Sequence, residues 1–474
     1  MTISTLIWLA IAVAWLAGVL SALHAVQEGR AAEGTVAWVF ALVTLAPLTV
    51  PFYWMFALHH RKELFSGRLE WPFEPSGPGP DDGEVADELP DADLLPLKNL
   101  SPFQWRFGCR TKLLINGEAT YEAIHAAIDG AEREILVHYY TIRTDRAGSA
   151  FLERLSAAVD RGVRVCLLYD SFGSEDFHKS DERRDLVARG AEVHPFNIRF
   201  HGIFTRWHIN FRNHRKLCLV DGRIGFTGGI NIGDEYLGRK PRVSPWRDTH
   251  LCLHGPIVRD LRVVFERDWL HTVQENLEEP PAAQKAPEEN ERGAAIALAV
   301  PMGPETDREY STLMVLEALR LARRRVWITT PFLAPGAAIG SALEQTVLRG
   351  VEVRIFTTAA PDRLLSFYAN WFFAEKLRRA GVEIVRAREG FVHEKVFLVD
   401  DRLAGVGTMN LDNRSLRLNF EIVVLLADTG SIEAVEAMLE KDFTEGVATE
   451  GEWERLGRRQ RLLSCVARLF APVL

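Results

Sequence analysis

The chain of 474 residues holds few cysteines: Cys109, Cys166, Cys218, Cys252 and Cys465 are scattered, odd in number and form no CxxC pair. That spacing argues against a disulfide framework or a structural zinc site, and it leaves buried thiols in a reducing compartment as the simplest reading. A basic excess is also missing. Lys and Arg number 56 against 64 Asp and Glu, and a net charge of −8 gives no general reason to expect a nucleic-acid partner. The charge is unevenly spread, because residues 198–247 carry ten Lys/Arg and three Asp/Glu and form a candidate anion-binding surface. Charged residues are absent altogether from residues 3–23 and 35–58.

Each uncharged run is long enough to cross about 30 Å of hydrocarbon at roughly 1.5 Å per residue. The first lacks a basic segment ahead of it and is soon followed by the second, which favours two retained helices over a cleaved leader. The connection at 24–34 is short, so the pair is expected to be a transmembrane hairpin. Pro47 and Pro51 suit a membrane helix better than a soluble one. His59, His60, Arg61 and Lys62 close the second run, and the positive-inside rule places that end in the cytoplasm, with all that follows.

Composition divides the rest. Residues 1–62 form the hairpin, and 63–98 an acidic Pro/Gly linker. Residues 99–276 and 294–446 are two stretches of alternating strands and helices, separated by a Pro/Glu/Ala linker at 277–293. The two stretches resemble each other. Arg161-Gly162-Val163-Arg164-Val165 matches Arg349-Gly350-Val351-Glu352-Val353, and Arg189-Gly190-Ala191-Glu192-Val193 matches Ala380-Gly381-Val382-Glu383-Ile384. A duplicated α/β unit is the simplest account. Residues 447–474 are a basic amphipathic segment, in which Arg455, Arg458, Arg459, Arg461 and Arg468 alternate with Leu, Val and Phe. It reads either as a helix lying on an anionic membrane or as a solvated helix docked on the body.

The duplication includes a polar signature. His214-Arg215-Lys216 is followed after four residues by Asp221, and His393-Glu394-Lys395 after four residues by Asp400. Gly228-Gly229-Ile230-Asn231 and Gly407-Thr408-Met409-Asn410 come next. Side chains at i and i+2 share one face of a strand, so each His and Lys should point together from the apolar runs 217–220 and 396–399. Buried there they need a partner, and an anionic phosphate supplies one. The glycines let backbone approach closely and set each Asn beside the site. A lone HxK is most often a strand-end salt bridge, but two copies at identical spacing are far more specific.

HxKxxxxD followed by a Gly turn and Asn resembles the signature of the phospholipase D superfamily. Asn213-His214-Arg215-Lys216, the run 228–236, Trp246-Arg247-Asp248-Thr249-His250, Asn410-Leu411-Asp412-Asn413-Arg414-Ser415 and Asn419-Phe420-Glu421 are similar to bacterial cardiolipin synthases in particular. Thr408 departs from the usual Ser while keeping a hydroxyl. The resemblance implies two phospholipase D-like α/β domains, each a mixed sheet flanked by helices, meeting at one cleft after the hairpin. It implies a phosphohistidine intermediate with no metal and no cofactor. His214 is then the nucleophile and His393 the acid. Lys216, Lys395, Asn231 and Asn410 bind phosphoryl oxygens, and Asp248 and Glu421 orient the imidazoles. Asp221 and Asp400 complete the catalytic motif, although their place after each strand suits fixing the turn.

The implied reaction joins two phosphatidylglycerols into cardiolipin and releases glycerol, with anionic phospholipids and the inner (cytoplasmic) membrane as partners. Hydrolysis of phospholipid through the same intermediate is the alternative. A membrane scaffold with a dead site is a third reading, opposed by the presence of both His and both Lys.

Overall fold

The computed structural model describes residues 2–28, 32–56, 91–196, 211–278, 293–305 and 308–473. Most of the acidic linker, the linker residues 279–292 and the cluster at 59–62 lie outside the described residues.

The apolar N-terminal residues belong to one compact unit, and the α/β body to another. Helix α1 (Ile3–Glu28) is long and apolar enough to cross a membrane. The second run differs from the single span expected, because it is two helices, α2 (Ala32–Thr44) and α3 (Ala46–Phe56), broken at Leu45. Pro47 has no N–H to continue the ladder. Around the break the Thr44 hydroxyl donates to the Phe40 carbonyl at 2.7 Å, and the Thr49 hydroxyl donates to the Ala41 carbonyl at 3.0 Å. The hairpin is closed by polar bonds: Trp54 Nε1 donates to Ser21 Oγ at 3.0 Å, and His24 Nδ1 bonds Tyr53 Oη at 2.8 Å. At Gly18 an added Cβ would meet Leu42 O and Ala46 Cβ at 2.6 Å, so a small residue lets the helices touch there.

In the body, the first half supplies β1 (Arg106–Ile115), β2 (Glu134–Tyr139), β3 (Arg164–Asp170), β4 (Glu192–Phe196), β5 (Leu217–Val220), β6 (Ile224–Gly228) and β7 (Thr249–His254). The second supplies β8 (Ala295–Met302), β9 (Arg325–Thr329), β10 (Glu352–Thr357), β11 (Glu383–Arg386), β12 (Val396–Val399), β13 (Leu403–Gly407), β14 (Glu421–Leu426) and an edge strand, β15 (Val447–Ala448). In space the first half runs β1-β7-β6-β5-β2-β3-β4, and the second runs β8-β14-β13-β12-β9-β10-β11 in the same order. The duplication read from sequence is therefore a duplication of topology. The halves are also less separate than two domains suggest. β1 pairs antiparallel with β8 (Arg106↔Ala297), making one sheet of 15 strands among the described residues.

Local sequence explains these elements. β2 and β12 read as near-continuous apolar runs because helices cover both faces of the sheet. Gly162, Gly190, Gly350 and Gly381, each just past a helix, take φ of 87°, 111°, 83° and 94°, the left-handed conformation that ends a helix before the next strand. One apolar core runs through both halves, from Phe265 and Trp269 to Leu398 and Val424. The end of the segment assigned to the acidic linker belongs to this core. Leu94 and Leu97 are fully buried there, and Asp93 pairs with Arg402 at 2.8 Å. Their burial overrides the acidic composition around them.

Candidate active site

The two signatures lead into β5 and β12. The ladder begins one residue after each lysine, at Leu217 and Val396, so His and Lys stand in the entry segment and not inside the strand as expected. Pairing across the halves fixes those segments. Asn213 bridges Phe420, and Phe391–Val392 pairs in parallel with Trp246–Arg247. The His214 N–H donates to the Phe420 carbonyl at 2.9 Å, and the His393 N–H to the Arg247 carbonyl at 2.7 Å. Each acceptor residue immediately precedes an acid of the other half, and that acid meets the imidazole. His214 Nδ1 lies 2.9 Å from Glu421 Oε2, and His393 Nδ1 lies 2.8 Å from Asp248 Oδ2. With Nδ1 committed as the donor to a carboxylate, Nε2 of each ring is the nitrogen left for chemistry.

Each carboxylate is held in turn. Glu421 accepts from the Thr408 hydroxyl at 2.6 Å, the Ser415 hydroxyl at 2.8 Å and the Asn419 amide at 3.3 Å. Asp248 accepts from the Thr249 N–H at 2.9 Å and the Trp246 indole at 3.3 Å. Gly229, the counterpart of Thr408, is bare because an added Cβ would sit 1.9 Å from Asp248 Oδ1. The residue between His and Lys is a base in the first half and an acid in the second, and burial pushes the Glu394 carboxyl up to about 8. Arg215 is buried on Asp268 at 2.5 Å, and Glu394 is buried beside Arg247 at 3.1 Å.

Electrostatics follows burial. Burial, with the Lys216 ammonium, holds the His214 imidazole down at about 4 against the pull of Glu421. Burial and Lys395 hold His393 at about 3 despite Asp248. Both rings are therefore neutral at pH 7. Burial lowers the Lys216 ammonium to about 7 and Lys395 to about 8, with Glu421 and Asp248 opposing it. Burial pushes the two carboxyls up, but the imidazoles and lysines around them outweigh it and keep both below the ordinary carboxylate value. Lys216 bears on His393, and Lys395 bears on His214, so the four groups share one electrostatic neighbourhood.

His214, His393, Asn231 and Asn410 line one cleft of about 530 Å³. Asn231 is committed within the protein: Oδ1 accepts from Thr141 N at 3.2 Å, and Nδ2 donates to Tyr236 Oη at 2.8 Å. Asn410 Oδ1 is buried without a hydrogen-bond partner. The lysines do not line this wall. Both lie beneath it, Lys216 Nζ donating to its own His214 carbonyl at 2.7 Å and Lys395 Nζ likewise to His393. Asp221 and Asp400 are not brought to the cleft. Asp221 accepts the backbone N–H groups of Glu132, Arg133 and Glu134, and Asp400 those of Arg323, Arg324 and Arg325. Both clasp the start of a neighbouring strand at left-handed φ of 54° and 53°, so their geometry is that of turn residues.

Sequence reasoning gave no role to three arginines of the wall, Arg212, Arg363 and Arg414, beside Tyr140, whose ring packs 5.1 Å from the His214 imidazole. Arg212 falls within the basic stretch at 198–247, a signal that did not by itself single it out. Arg363, at the entry to a helix, carries no motif.

Two topologically identical α/β halves, each lending a histidine and a lysine to one cleft, define a protein of the phospholipase D superfamily. A family model described as "Cardiolipin synthase, PLD-like domain" matches residues 124–269 and 315–443. Cardiolipin synthase A of Pseudomonas putida is 38% identical over 476 residues, covering 97% of this chain and 96% of the relative. The Pseudomonas aeruginosa cardiolipin synthase A is 38% identical, covering 96% of this chain and 94% of the relative. The fold is similar to the crystal structure of a phosphatidylserine synthase from Haemophilus influenzae, with a TM-score of 0.55 at 15% identity, covering 81% of this chain and 98% of that one. The chain belongs to the cardiolipin synthase family, phosphatidyltransferases of that superfamily.

Proposed function

We propose that this cleft moves a phosphatidyl group from one phosphatidylglycerol to a glycerol hydroxyl of a second, giving cardiolipin and glycerol. The observation that carries the reading is the crossed pair, His214 on Glu421 and His393 on Asp248, opening on a single cleft. His214 Nε2 attacks the donor phosphorus while the bond from phosphorus to the leaving glycerol oxygen breaks. A proton on His393 Nε2 goes to that oxygen. In the return step the acceptor hydroxyl attacks phosphorus, its proton passes to His393, and the phosphorus–nitrogen bond to His214 breaks. Arrival of the phosphodiester anion favours the charged form of His393, which burial otherwise opposes. Lys216 and Lys395 supply positive charge behind the phosphoryl oxygens, and Asn410 presents an amide to them.

The acceptor lipid brings a second phosphodiester. Arg212, Arg363 and Arg414 crowd the cleft wall around Tyr140 and are our assignment for it. We assign residues 99–276 and 294–446 to the two catalytic halves. The hairpin of α1 with α2 and α3 is our assignment for a two-pass anchor in the inner membrane with the body in the cytoplasm. Membrane residence concentrates donor and acceptor together.

Full-length protein supplied with labelled phosphatidylglycerol should release glycerol and form cardiolipin. A rapid quench in denaturant at mildly alkaline pH, where a phosphorus–nitrogen bond to histidine survives, should leave a phosphatidyl adduct on the peptide bearing His214. Phosphatidic acid as the sole lipid product, or an adduct on His393 alone, contradicts this assignment.

A further inference from the structure

The C-terminal helix α4 (Arg458–Ala467) and the turn at Arg468–Val473 bury the wrong residues for an ordinary surface helix. Ser464, Ala467 and Ala471 face the body, whereas Leu462, Leu469 and Phe470 are 65%, 68% and 47% exposed, with Leu463 and Val466 beside them. Small side chains do the docking, and five bulky apolar ones face outward. A helix that simply covers the body would place its large apolar residues inward. Residues 455–474 hold five arginines and no acid, and Arg455, Arg458, Arg459 and Arg468 are exposed.

This face lies next to the cleft. The Asn413 amide donates to the Ala471 carbonyl at 3.0 Å, and Asn413 sits between Asp412 and Arg414, both of which line the cleft. Arg468 packs over the Phe372 ring at 4.6 Å, on helix α5 (Leu364–Arg379). The first turn of α5 adds Leu364 and Leu365, 58% and 40% exposed, and Leu365 lines the cleft.

We infer that the outer face of α4 and the following turn, with Leu364 and Leu365, docks on the surface of an anionic bilayer and holds the cleft against its lipid. Exposed apolar side chains beside arginines that make no ion pair among the described residues match acyl chains below a negative headgroup layer. A protein partner would need acids of its own against this face. The link to catalysis rests on the phosphatidyl-transfer reading, while the docking does not.

The test uses the full chain in lipid nanodiscs, with a fluorophore on Leu469→Cys and Cys465→Ser in the background, the other four cysteines being buried. Acyl chains carrying bromine should quench the probe in discs containing phosphatidylglycerol. Quenching should weaken in high salt and in Arg458→Gln/Arg459→Gln. A second variant, Leu462→Ser/Leu469→Ser/Phe470→Ser, should raise the apparent KM for lipid several-fold in surface-dilution assays with kcat unchanged. A probe that stays in water, or a KM that does not move in the triple variant, overturns the proposal. If the labelled protein is quenched but makes no cardiolipin, the docking stands and the transfer reading fails.

Discussion

His214 of the first half is oriented by Glu421 of the second, 2.9 Å away in space and 207 residues along the chain. The reciprocal bond from His393 to Asp248 makes neither half a complete site. Glu421→Gln and Asp248→Asn should each lower kcat by roughly 10²–10⁴-fold, the scale of losing an imidazole's orienting carboxylate, with the thermal midpoint little changed. Gly229→Ala should mimic Asp248→Asn, because the added methyl displaces that carboxylate. Full turnover in any of the three would remove the crossed pairs from the mechanism.

Asp400 should separate from the histidines in its effect. Asp400→Ala leaves three backbone N–H donors without their acceptor and forces Ala into left-handed φ, costing about 1–3 kcal/mol. Asp400→Asn keeps an acceptor and tolerates that φ. Thermal midpoints should fall in the first and largely recover in the second, while kcat per folded molecule stays within a few-fold for both. An Asp400→Asn protein that is folded but inactive would make the aspartate catalytic.

Arg414→Gln should discriminate between the two lipids. Losing one charge-assisted contact to the acceptor phosphodiester raises acceptor KM by about ten-fold. Water then competes better for the phosphohistidine, so the ratio of phosphatidic acid to cardiolipin rises. The rate of forming the adduct on His214 should hold. If transfer and adduct formation fall together, the arginine serves the donor or the fold.

pH should act on kcat/KM from both sides. As pH rises through about 7 to 8, Lys216 and Lys395 lose the protons that attract phosphate. As pH falls through about 4, His214 takes up a proton and loses its lone pair. A profile flat from pH 6 to 9 contradicts the lysine assignment.

Stability has its own pH dependence. His125, His214, His250 and His393 are held down at about 4, 4, 3 and 3 by burial, against about 6.5 in an unfolded chain. Between those limits these four rings bind more protons in the unfolded chain than in the folded one, and they outnumber Glu394 and Asp412, whose carboxyls burial raises to about 8 and 6 and which act the other way. The contribution is therefore fully present above pH 6.5 and is lost as pH falls through the window. The thermal midpoint in detergent should drop from pH 7 to pH 5. An unchanged midpoint would mean these rings are not buried neutral.

Much of the fold was legible. The Gly-ended helices at Gly162, Gly190, Gly350 and Gly381 and the apolar runs at 217–220 and 396–399 are local signals, and strands follow them. The linker boundary at residue 98 was misplaced, since Leu94 and Leu97 find their apolar surroundings in parts of the chain far from them in sequence. The continuous second span was misread because Pro47 breaks the helix while composition stays apolar. Arg363 and Tyr140 were invisible because nothing in their neighbours marks them for a cleft that only folding assembles.

The sequence by itself determined which groups are the candidates for the chemistry: two HxK signatures with their spaced glycines and asparagines, and apolar runs fit for a bilayer and a buried sheet. Those are properties of residue type and short spacing. Only the tertiary structure decided that each histidine is served by the opposite half's acid, that Asp221 and Asp400 face away from the cleft, and that α4 shows its bulky side outward. All three depend on pairings between segments far apart in the chain, whose partners no local pattern encodes.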